Sequence, residues 1–309
     1  MYQLNPNLLI MGSHRLAVLM TCHNRREKTL ACLSALYKQQ SPTNLALSIY
    51  LVDDGSTDGT FQAVRQSYPQ VCLLKGSGSL FWTGGMHRAF AEALEHEHDF
   101  YLWLNDDTIL YPQALDTLLH TWNELDKQGE HHALIIGSTQ DPESNELTYG
   151  GLRCTAWFRP LNFSLVKPME VSQQCQTMNG NCVLIPHEVA KRVGNVDPIF
   201  RHYLADYDYG LRSRQQCCTL WIAPHYIGTC SNNGLGNEKK YKNLSPSQQL
   251  QKLTQPKGLL AEDAVLYSLE EWKVFAQRHG GPFWYIYWLS PYRRIIWSLA
   301  LNKLKAVAA

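Results

Sequence analysis

The 309-residue sequence has little net charge, no Cys-x-x-Cys pair and no long uncharged hydrophobic run. Because the formal net charge is only +1, we expect no nucleic-acid partner. The nine cysteines include no Cys-x-x-Cys pair, which argues against a zinc site or a disulfide framework and predicts reduced thiols in a cytoplasmic protein. No uncharged run reaches the ~20 residues of a membrane-spanning helix. The N-terminal residues lack the pattern of a signal peptide, so we expect no cleaved leader.

What the sequence does contain is enough hydrophobic residues for a large core. Hydrophobic residues make up 45% and charged residues 18% of the chain, proportions typical of a globular protein. No internal repeat and no low-complexity segment is found. The length predicts one large domain, or one domain with an appendage.

Strand and helix patterns alternate through the first part of the chain. Short apolar runs typical of buried strands are each followed by a helical segment. These runs are Leu16–Cys22, Leu47–Val52, Val71–Leu74 and Phe100–Leu104. Four such units within ~100 residues predict an α/β fold, in which a mostly parallel sheet is flanked by helices.

Two of the predicted strands run directly into pairs of adjacent acidic residues. Asp53 and Asp54 end the second strand, and Asp106 and Asp107 follow the fourth strand after Asn105. Ligands of parallel sheets bind outside the carboxyl ends of the strands, so we expect both pairs to face one site. Adjacent carboxylates repel each other and favour a hard divalent cation. The alternative is a polar turn that closes each core strand.

The remainder of the chain is less regular. Beyond Pro112 we predict helices and strands, interrupted by loops over 138–176. A polar segment over 231–258 follows the last predicted strand, at 219–223. The C-terminal stretch 284–304 combines Trp and Tyr with Arg and Lys, as segments at a bilayer interface do. Packing of an aromatic helix on protein is the open alternative.

Five motifs in a fixed order resemble those of the family 2 glycosyltransferases with the GT-A fold. They are VLMTCHNR, VDDGSTDGT, FWTGGMHRA, LNDDT and NGNCVLIPHEVAKRVGNVDPIFRHYLADYDYGLRSR. The resemblance covers roughly residues 15–235 and implies a GT-A domain over 1–235, with a donor half over 15–110 and an acceptor half over 111–235. Residues 236–309 would form a flexible segment and a C-terminal extension of aromatic, basic helices.

The resemblance places the nucleotide of a sugar donor at the first two strands. Thr21, His23 and Arg25 match the positions that touch the base. Asp54, with Asp53 beside it, matches the acidic pair that hydrogen-bonds the base or the ribose.

The resemblance also assigns a metal ligand and a catalytic base. Asp107 matches the last acid of the Asp-x-Asp motif and would coordinate Mg²⁺ or Mn²⁺ on the diphosphate, with Asp106 near the ribose or sugar. Asp206 matches the catalytic base, and Asp208 is the second candidate. One carboxylate within hydrogen-bond reach of the acceptor hydroxyl suffices for proton removal.

Several nearby residues have a functional and a structural interpretation. Gly84 and Gly85 fit backbone that approaches the donor closely, or a tight turn before a helix. Trp82 fits stacking on a base or sugar ring, or a place in the core. Asn179 and Gly180 are candidates for the border of the acceptor pocket.

Three departures from the family pattern bear on the site. Asn105 stands where the first acid of Asp-x-Asp usually stands, and Ala205 replaces the usual Glu before the base. The region after the last strand, 228–233, carries no His that could bind a metal. The QxxRW segment of processive relatives is not found in the sequence, so we expect addition of a single sugar.

The resemblance implies an inverting enzyme that moves a sugar from a UDP- or dTDP-sugar to a hydroxyl of a glycan or lipid-linked oligosaccharide. We expect a role in surface polysaccharide synthesis, such as O-antigen, lipopolysaccharide or capsule, at the inner face of the membrane. Two alternatives stay open: an inactive relative that serves as a binding or scaffold subunit, and a nucleotidyltransferase. The latter would need a glycine-rich basic loop, and the CHNRREKT segment has the basic residues but no glycine.

Overall fold

The computed structural model describes residues 14–40, 45–202, 204–231, 245, 248, 269–293 and 297. Described residues 14–153 and 165–231 form one compact unit, and 154–164 form a second with the described part of 232–309. The polar segment predicted over 231–258 lies almost entirely outside the described residues. The candidate site belongs to the first unit.

The described helices and strands follow the alternation that the sequence predicts. The strands are β1 His14–Cys22, β2 Leu45–Asp53, β3 Cys72–Lys75, β4 Phe100–Leu104, β5 Ile109–Leu110, β6 Ala133–Gln140, β7 Leu147–Tyr149, β8 Gly151–Cys154, β9 Phe163–Leu165, β10 Gln173–Cys175, β11 Thr177–Met178, β12 Cys182–Pro186 and β13 Thr219–Thr229. The helices are α1 Arg26–Tyr37, α2 Thr60–Ser67, α3 Phe81–Leu94, α4 Ala114–Lys127, α5 His187–Val193, α6 Ala205–Gln215, α7 Leu269–His279 and α8 Trp284–Leu289.

The main sheet is mostly parallel. Its ten strands lie in the order β10-β13-β6-β12-β4-β1-β2-β3, with β5 paired to β13 and β7 paired to β6. Strands β4, β1, β2 and β3 are parallel neighbours, and so are β6 and β13. Strand β12 runs antiparallel between β4 and β6. The sequence could not give this direction, because all five residues of β12 are buried and such a strand has the same apolar pattern either way.

Strand β4 lies at the centre of the core and is buried on both faces. Phe100, Leu102 and Leu104 join the core cluster that α1 and α4 cover. Tyr101 and Trp103 point to the opposite face, into the cluster that α3, α5 and α6 cover. The continuous apolar run FYLWL therefore arises because helices cover both sides of the sheet.

The carboxyl ends of β1, β2 and β4 meet at one edge of the sheet. Cys22 of β1 pairs with Asp53 of β2, and Leu19 pairs with Trp103 of β4. The polar residues that follow these strands are therefore neighbours, as the sequence predicts.

The second unit contains α7 and α8 among its described residues. Helix α7 buries Trp272, Phe275 and Ala276, and Trp272 Nε1 donates to the Trp288 carbonyl at 3.1 Å. Helix α8, which begins the predicted aromatic stretch, leaves Tyr285 exposed. None of the helices in the described ranges combines the length and apolarity needed to cross a bilayer.

Candidate active site

The acidic pair after β4 is held by cations from helix α1. Arg25 Nη1 donates to Asp106 Oδ1 at 3.2 Å and to Asp107 Oδ2 at 3.0 Å. Lys28 Nζ lies 3.9 Å from Asp107 Oδ2. Thr29 Oγ1 donates to Asp106 Oδ2 at 3.2 Å. The positive charge that two adjacent carboxylates require is therefore supplied, in this structure, by side chains of the chain itself.

The two acids of this pair differ in their surroundings. Burial raises the pKa of Asp106 to about 6, and the neighbouring Arg25 guanidinium opposes that rise. Asp107 Oδ1 accepts a contact from the Cys230 thiol at 3.5 Å. Burial, and then the charge of Asp107, raise the pKa of Cys230 to about 12, so the thiol remains protonated and acts as a donor.

The described residues contain no group of three His, Cys, Asp or Glu side chains arranged to hold a metal ion. Mg²⁺ typically takes only one or two carboxylates and completes its shell with substrate phosphates and water. Asp107 fits that kind of site, since its single carboxylate lies beside the side chains of Arg25 and Lys28. These two cations could also contact a phosphate. A cation is therefore compatible with these residues when a diphosphate supplies the remaining ligands.

The acidic pair after β2 is held differently, by backbone N–H groups. Asp54 Oδ1 accepts from the Gly78 amide at 2.7 Å, and Oδ2 accepts from the Leu80 and Phe81 amides at 2.8 and 3.0 Å. Leu80 is the N-cap residue of α3, and no side chain of the cap residue satisfies the free amides there. Asp54, the residue after β2, therefore caps helix α3. A carboxylate is favourable at a helix N-terminus because of the helix dipole.

Within the described ranges, both carboxylate oxygens of Asp54 accept hydrogen bonds, whereas only one oxygen of Asp53 does. Its Oδ1 accepts from the Ser56 amide at 2.8 Å, while its buried Oδ2 has no hydrogen-bond partner among the described residues. A buried carboxylate oxygen without a donor is costly, and a ligand N–H would relieve that cost. Of the two acids predicted to meet the nucleotide, Asp53 is therefore the one with an unused acceptor, although this oxygen is buried in the structure.

The predicted base-contacting residues lie at the same edge. Thr21 Oγ1 donates to the Val52 carbonyl at 3.2 Å, and His23 Nδ1 lies 2.6 Å from the Asp54 carbonyl oxygen. These bonds fasten the end of β1 to the end of β2. Arg25, grouped with them by the sequence, instead contacts the acids after β4.

Gly84 and Gly85 lie inside α3, so the interpretation of a tight turn before the helix is wrong. A Cβ at Gly85 would overlap Thr21 Oγ1, and one at Gly84 would lie 3.1 Å from Leu80 Cβ. Gly85 therefore lets α3 pack closely on β1. The sequence placed the helix start too late because two adjacent glycines usually disfavour a helix.

Asp206 lies in the first turn of α6. Its Oδ2 accepts from the Gly180 amide at 2.9 Å and its Oδ1 from the Tyr207 amide at 2.8 Å. Burial raises the pKa of Asp206 to about 7, against the opposing effect of these hydrogen bonds. A carboxylate with a pKa near the working pH is well suited to general-base catalysis.

Asp208, the second candidate for the base, is fully buried in a structural ion pair. Arg212 Nε donates to Asp208 Oδ2 at 2.7 Å, and its Nη atoms donate to the Val193 and Asn195 carbonyls at 2.9 and 3.0 Å. The pair ties α6 to the end of α5. Two residues apart on a helix, Asp206 and Asp208 face different directions, about 200° apart.

Trp82 links the two acidic regions. Its Nε1 donates to Asn105 Oδ1 at 2.8 Å, and a Cβ at Gly180 would lie 2.6 Å from its ring and 3.3 Å from Asp206 Cβ. The backbone N–H of Asn105 donates to the backbone carbonyl of Asn181 at 3.0 Å. A continuous set of contacts therefore runs from the segment that carries Asp106, through Trp82 and Gly180, to Asp206. The region along this path is called the cleft below.

Thr29, Lys28, Cys230 and Asn181 also contribute to this cleft, although the sequence did not single them out. Thr29 and Lys28 lie on α1, one turn after Arg25, and helical spacing alone could have indicated them. Cys230 is 123 residues from Asp107, so no local pattern relates the two.

A mixed α/β sheet with acidic residues gathered at the carboxyl ends of β2 and β4, and a further acid, Asp206, at the start of a helix, is the arrangement of a GT-A nucleotide-sugar transferase. The model of the family described as glycosyl transferase family 2 matches residues 17–194. The chain belongs to this family, and the predicted family, fold and enzyme class are confirmed.

The relatives found by sequence include the N-acetylglucosaminyl-diphospho-decaprenol L-rhamnosyltransferase of Mycobacterium tuberculosis. It is 26% identical over 211 residues, which are 60% of this chain and 65% of the relative. The match thus spans just under two thirds of that protein.

Two solved structures share the fold at low sequence identity. TarS 1-349 of S. aureus, in complex with UDP-GlcNAc, has a TM-score of 0.52 and 13% identity over 85% of this chain and 71% of its own. The mannosyltransferase PcManGT of Pyrobaculum calidifontis, in complex with GDP-Man and Mn²⁺, has a TM-score of 0.50 and 13% identity over 94% of this chain and 81% of its own.

Proposed function

We propose that this glycosyltransferase moves one sugar from a nucleoside diphosphate sugar to a hydroxyl of a lipid-linked saccharide, with inversion at the anomeric carbon. The observation that carries the proposal is the shared cleft, in which Asp206 lies across Trp82 and Gly180 from the segment of Asp106 and Asp107. The side that carries Asp106 and Asp107 would hold the diphosphate, and Asp206 on the other side would accept the proton.

The donor nucleotide would lie along the ends of β1 and β2. Thr21 and His23 line that edge, and the unfilled Oδ2 of Asp53 would accept an N–H from a uracil or thymine base once a local shift of the strand ends opens this buried oxygen to the ligand. This chemistry supports a UDP- or dTDP-sugar donor, and the TarS structure contains UDP-GlcNAc. Asp54 would act indirectly, by holding the loop that precedes α3.

The donor diphosphate would lie beside Asp107, Arg25 and Lys28. Asp107 would hold a Mg²⁺ or Mn²⁺ ion, and Asp106 would lie nearer the ribose or sugar. When bound, the cation neutralises the diphosphate and stabilises it as the leaving group. Arg25 and Lys28 are partly exposed and can shift from the carboxylates to the phosphates. Their positive charges would then neutralise part of the negative charge of the diphosphate.

Asp206 would remove the proton from the acceptor hydroxyl as its oxygen attacks the anomeric carbon. Its oxygens are fixed by two backbone amides, so the carboxylate is oriented without a second acidic residue. This arrangement supports a working base even though Ala205 replaces the usual Glu. Attack from the face opposite the diphosphate inverts the anomeric centre. The absence of a QxxRW segment from the sequence supports addition of one sugar.

The acceptor would be a saccharide on a polyprenyl diphosphate, by analogy with the mycobacterial relative. Within the second unit, α8 and its flanks expose Phe283, Tyr285, Ile286 and Leu289. Aromatic residues beside basic ones favour the bilayer interface, which supports a cytoplasmic enzyme that contacts the inner membrane face during surface polysaccharide synthesis, whether O-antigen, lipopolysaccharide or capsule. Co-sedimentation with anionic vesicles tests this contact, and Tyr285→Ser with Ile286→Ser should reduce it.

The domain organisation is proposed as the sequence predicts it. The GT-A domain would end near residue 235, after a donor half over 15–110 and an acceptor half over 111–235, and residues 236–309 would form an extension. The compact unit that carries the site ends at Ser231, which supports this boundary.

Calorimetric titration with UDP, dTDP and GDP, with and without Mn²⁺, tests the proposal. We expect one nucleoside diphosphate to bind more tightly with Mn²⁺, and its sugar conjugate to protect against thermal unfolding. Asp107→Ala should lose the Mn²⁺-dependent part, while Asp116→Ala, an exposed acid on α4, should not. Absence of nucleotide binding would favour a scaffold subunit and contradict the proposal.

A further inference from the structure

Trp82 is fixed in orientation on several sides. Its indole N–H donates to Asn105, and its ring packs edge-on to Trp103 with centroids 5.8 Å apart and planes at 77°. The helix that carries it is capped by Asp54 through the Leu80 and Phe81 amides. A residue held in this way cannot rotate freely, yet Trp82 is only half-buried.

Gly180 keeps this ring beside Asp206. A Cβ at position 180 would lie 2.6 and 2.7 Å from two ring atoms of Trp82, too close for any other residue. The Gly180 amide donates to Asp206 at 2.9 Å. The same glycine therefore touches the tryptophan ring and orients the proposed base, which places a flat apolar surface next to that base.

This location has a chemical consequence for the acceptor. A base must lie within hydrogen-bond reach of the hydroxyl that it deprotonates. The sugar ring that bears this hydroxyl must therefore lie beside Asp206, where Trp82 is. A pyranose has an apolar C–H face and a polar rim, and aromatic side chains with a few polar groups are the usual lining of such subsites.

We infer that Trp82 is the platform on which the terminal sugar of the acceptor lies, and that Asn105 fixes the orientation of this platform. The inference rests on the proposed function and deepens it. It also explains why position 105 carries Asn where the family motif usually has an acid. An amide oxygen accepts the indole N–H without adding a third negative charge beside Asp106 and Asp107.

Four variants test the inference. Trp82→Leu removes the flat ring, and Trp82→Phe keeps a flat ring without the N–H. Trp122→Leu and Trp122→Phe are matched controls on α4, where Trp122 is half-buried and its buried indole N–H has no hydrogen-bond partner in the part of the chain that the structure describes. The acceptor probe is a short-chain lipid diphosphate that carries one N-acetylglucosamine, and the donor is the UDP-, dTDP- or GDP-sugar that protects the wild-type protein from unfolding.

We expect Trp82→Leu to raise the KM for the acceptor probe about tenfold, and Trp82→Phe by less than about threefold, in proportion to the apolar contact kept. Affinity for the free nucleoside diphosphate should stay within about twofold of wild type in both variants. The Trp122 variants should leave both values unchanged. Equal acceptor KM values for wild type and Trp82→Leu would overturn the inference.

A second measurement decides the case if Trp82→Leu does not fold. Saturation of the wild-type protein with the acceptor probe should change its tryptophan emission, and this change should disappear in Trp82→Phe and persist in Trp122→Phe. Persistence in Trp82→Phe would overturn the inference. Failure of the proposed function is distinct, since wild-type protein would then neither bind nucleotide nor transfer sugar.

Discussion

The acidic pairs after β2 and β4 look alike in the sequence but are neutralised by different partners. Asp106 and Asp107 contact the side chains of Arg25 and Lys28, which are 42% and 53% exposed. Asp54 contacts three backbone amides from the loop and first turn of α3. Side chains can move to a ligand, whereas those amides cannot leave without unfolding the start of the helix. The first pair is therefore suited to exchange partners with a substrate, and Asp54 is suited to hold structure.

Asp206, the proposed base, is also an acid held by backbone amides. It accepts from the Gly180 and Tyr207 amides, as Asp54 accepts from its loop, but it keeps part of its surface accessible. The comparison therefore predicts three behaviours: loss of turnover at Asp206, loss of stability at Asp54, and loss of metal-linked binding at Asp107.

The largest expected effect is on turnover. Asp206→Asn should lower the transfer rate by ~10²–10⁴-fold, because an amide cannot accept the hydroxyl proton. Affinity for the nucleoside diphosphate should remain near wild type, since the residue lies on the acceptor side of the cleft. Initial rates and calorimetry measure the two quantities. A parallel loss of nucleotide affinity would move Asp206 to the donor side.

The next effect is on folding. Asp54→Ala should lower the free energy of unfolding by about 3 kcal/mol or more, because buried amides lose their acceptor. Asp53→Asn should cost far less, since Asp53 accepts a hydrogen bond from the Ser56 amide alone in the described residues. Urea unfolding measures both variants. Equal losses would mean that the two acids share one role, and the distinction drawn between the pairs would fail.

The effect at Asp107 should appear only when a metal is present. Asp107→Ala should weaken nucleoside diphosphate binding about tenfold or more with Mn²⁺, because the cation loses its protein ligand. In EDTA the affinity should change little. Unfolding should also change little, since Arg25 keeps its contact with Asp106. An equal loss of affinity in EDTA would make Asp107 a structural residue.

The last prediction needs no substitution, because a change of pH alone should alter the rate. Burial raises the pKa of Asp206 to about 7, so the base is protonated and inactive below that pH. The value of kcat/KM for the acceptor should therefore rise about tenfold per pH unit until about pH 7 and then level off. Nucleotide affinity is measured at each pH as the control, because the pKa of Asp106 is also raised, to about 6. A profile that is flat from pH 5 to 8 would exclude Asp206 as the base.

Much of the fold could be predicted because strand and helix periods are local properties of the chain. The run FYLWL indicated a strand buried on both faces, and the structure places its alternate residues in two cores. The start of α3 was missed, because the packing of Gly85 on Thr21 outweighs the poor helix propensity of two glycines. The direction of β12 was also hidden, since burial on both faces erases any difference in pattern.

The sequence by itself indicated the family, through the resemblance of five motifs, and the edge of the sheet where the acidic pairs would gather, because each pair ends a predicted strand. Only the tertiary structure decided which acid is available. Asp54 meets amides 24 to 27 residues away, and Arg25 meets acids 81 and 82 residues away. Contacts at such separations depend on how the helices pack on the sheet, and that packing gives neighbouring carboxylates of the same type different hydrogen-bond partners.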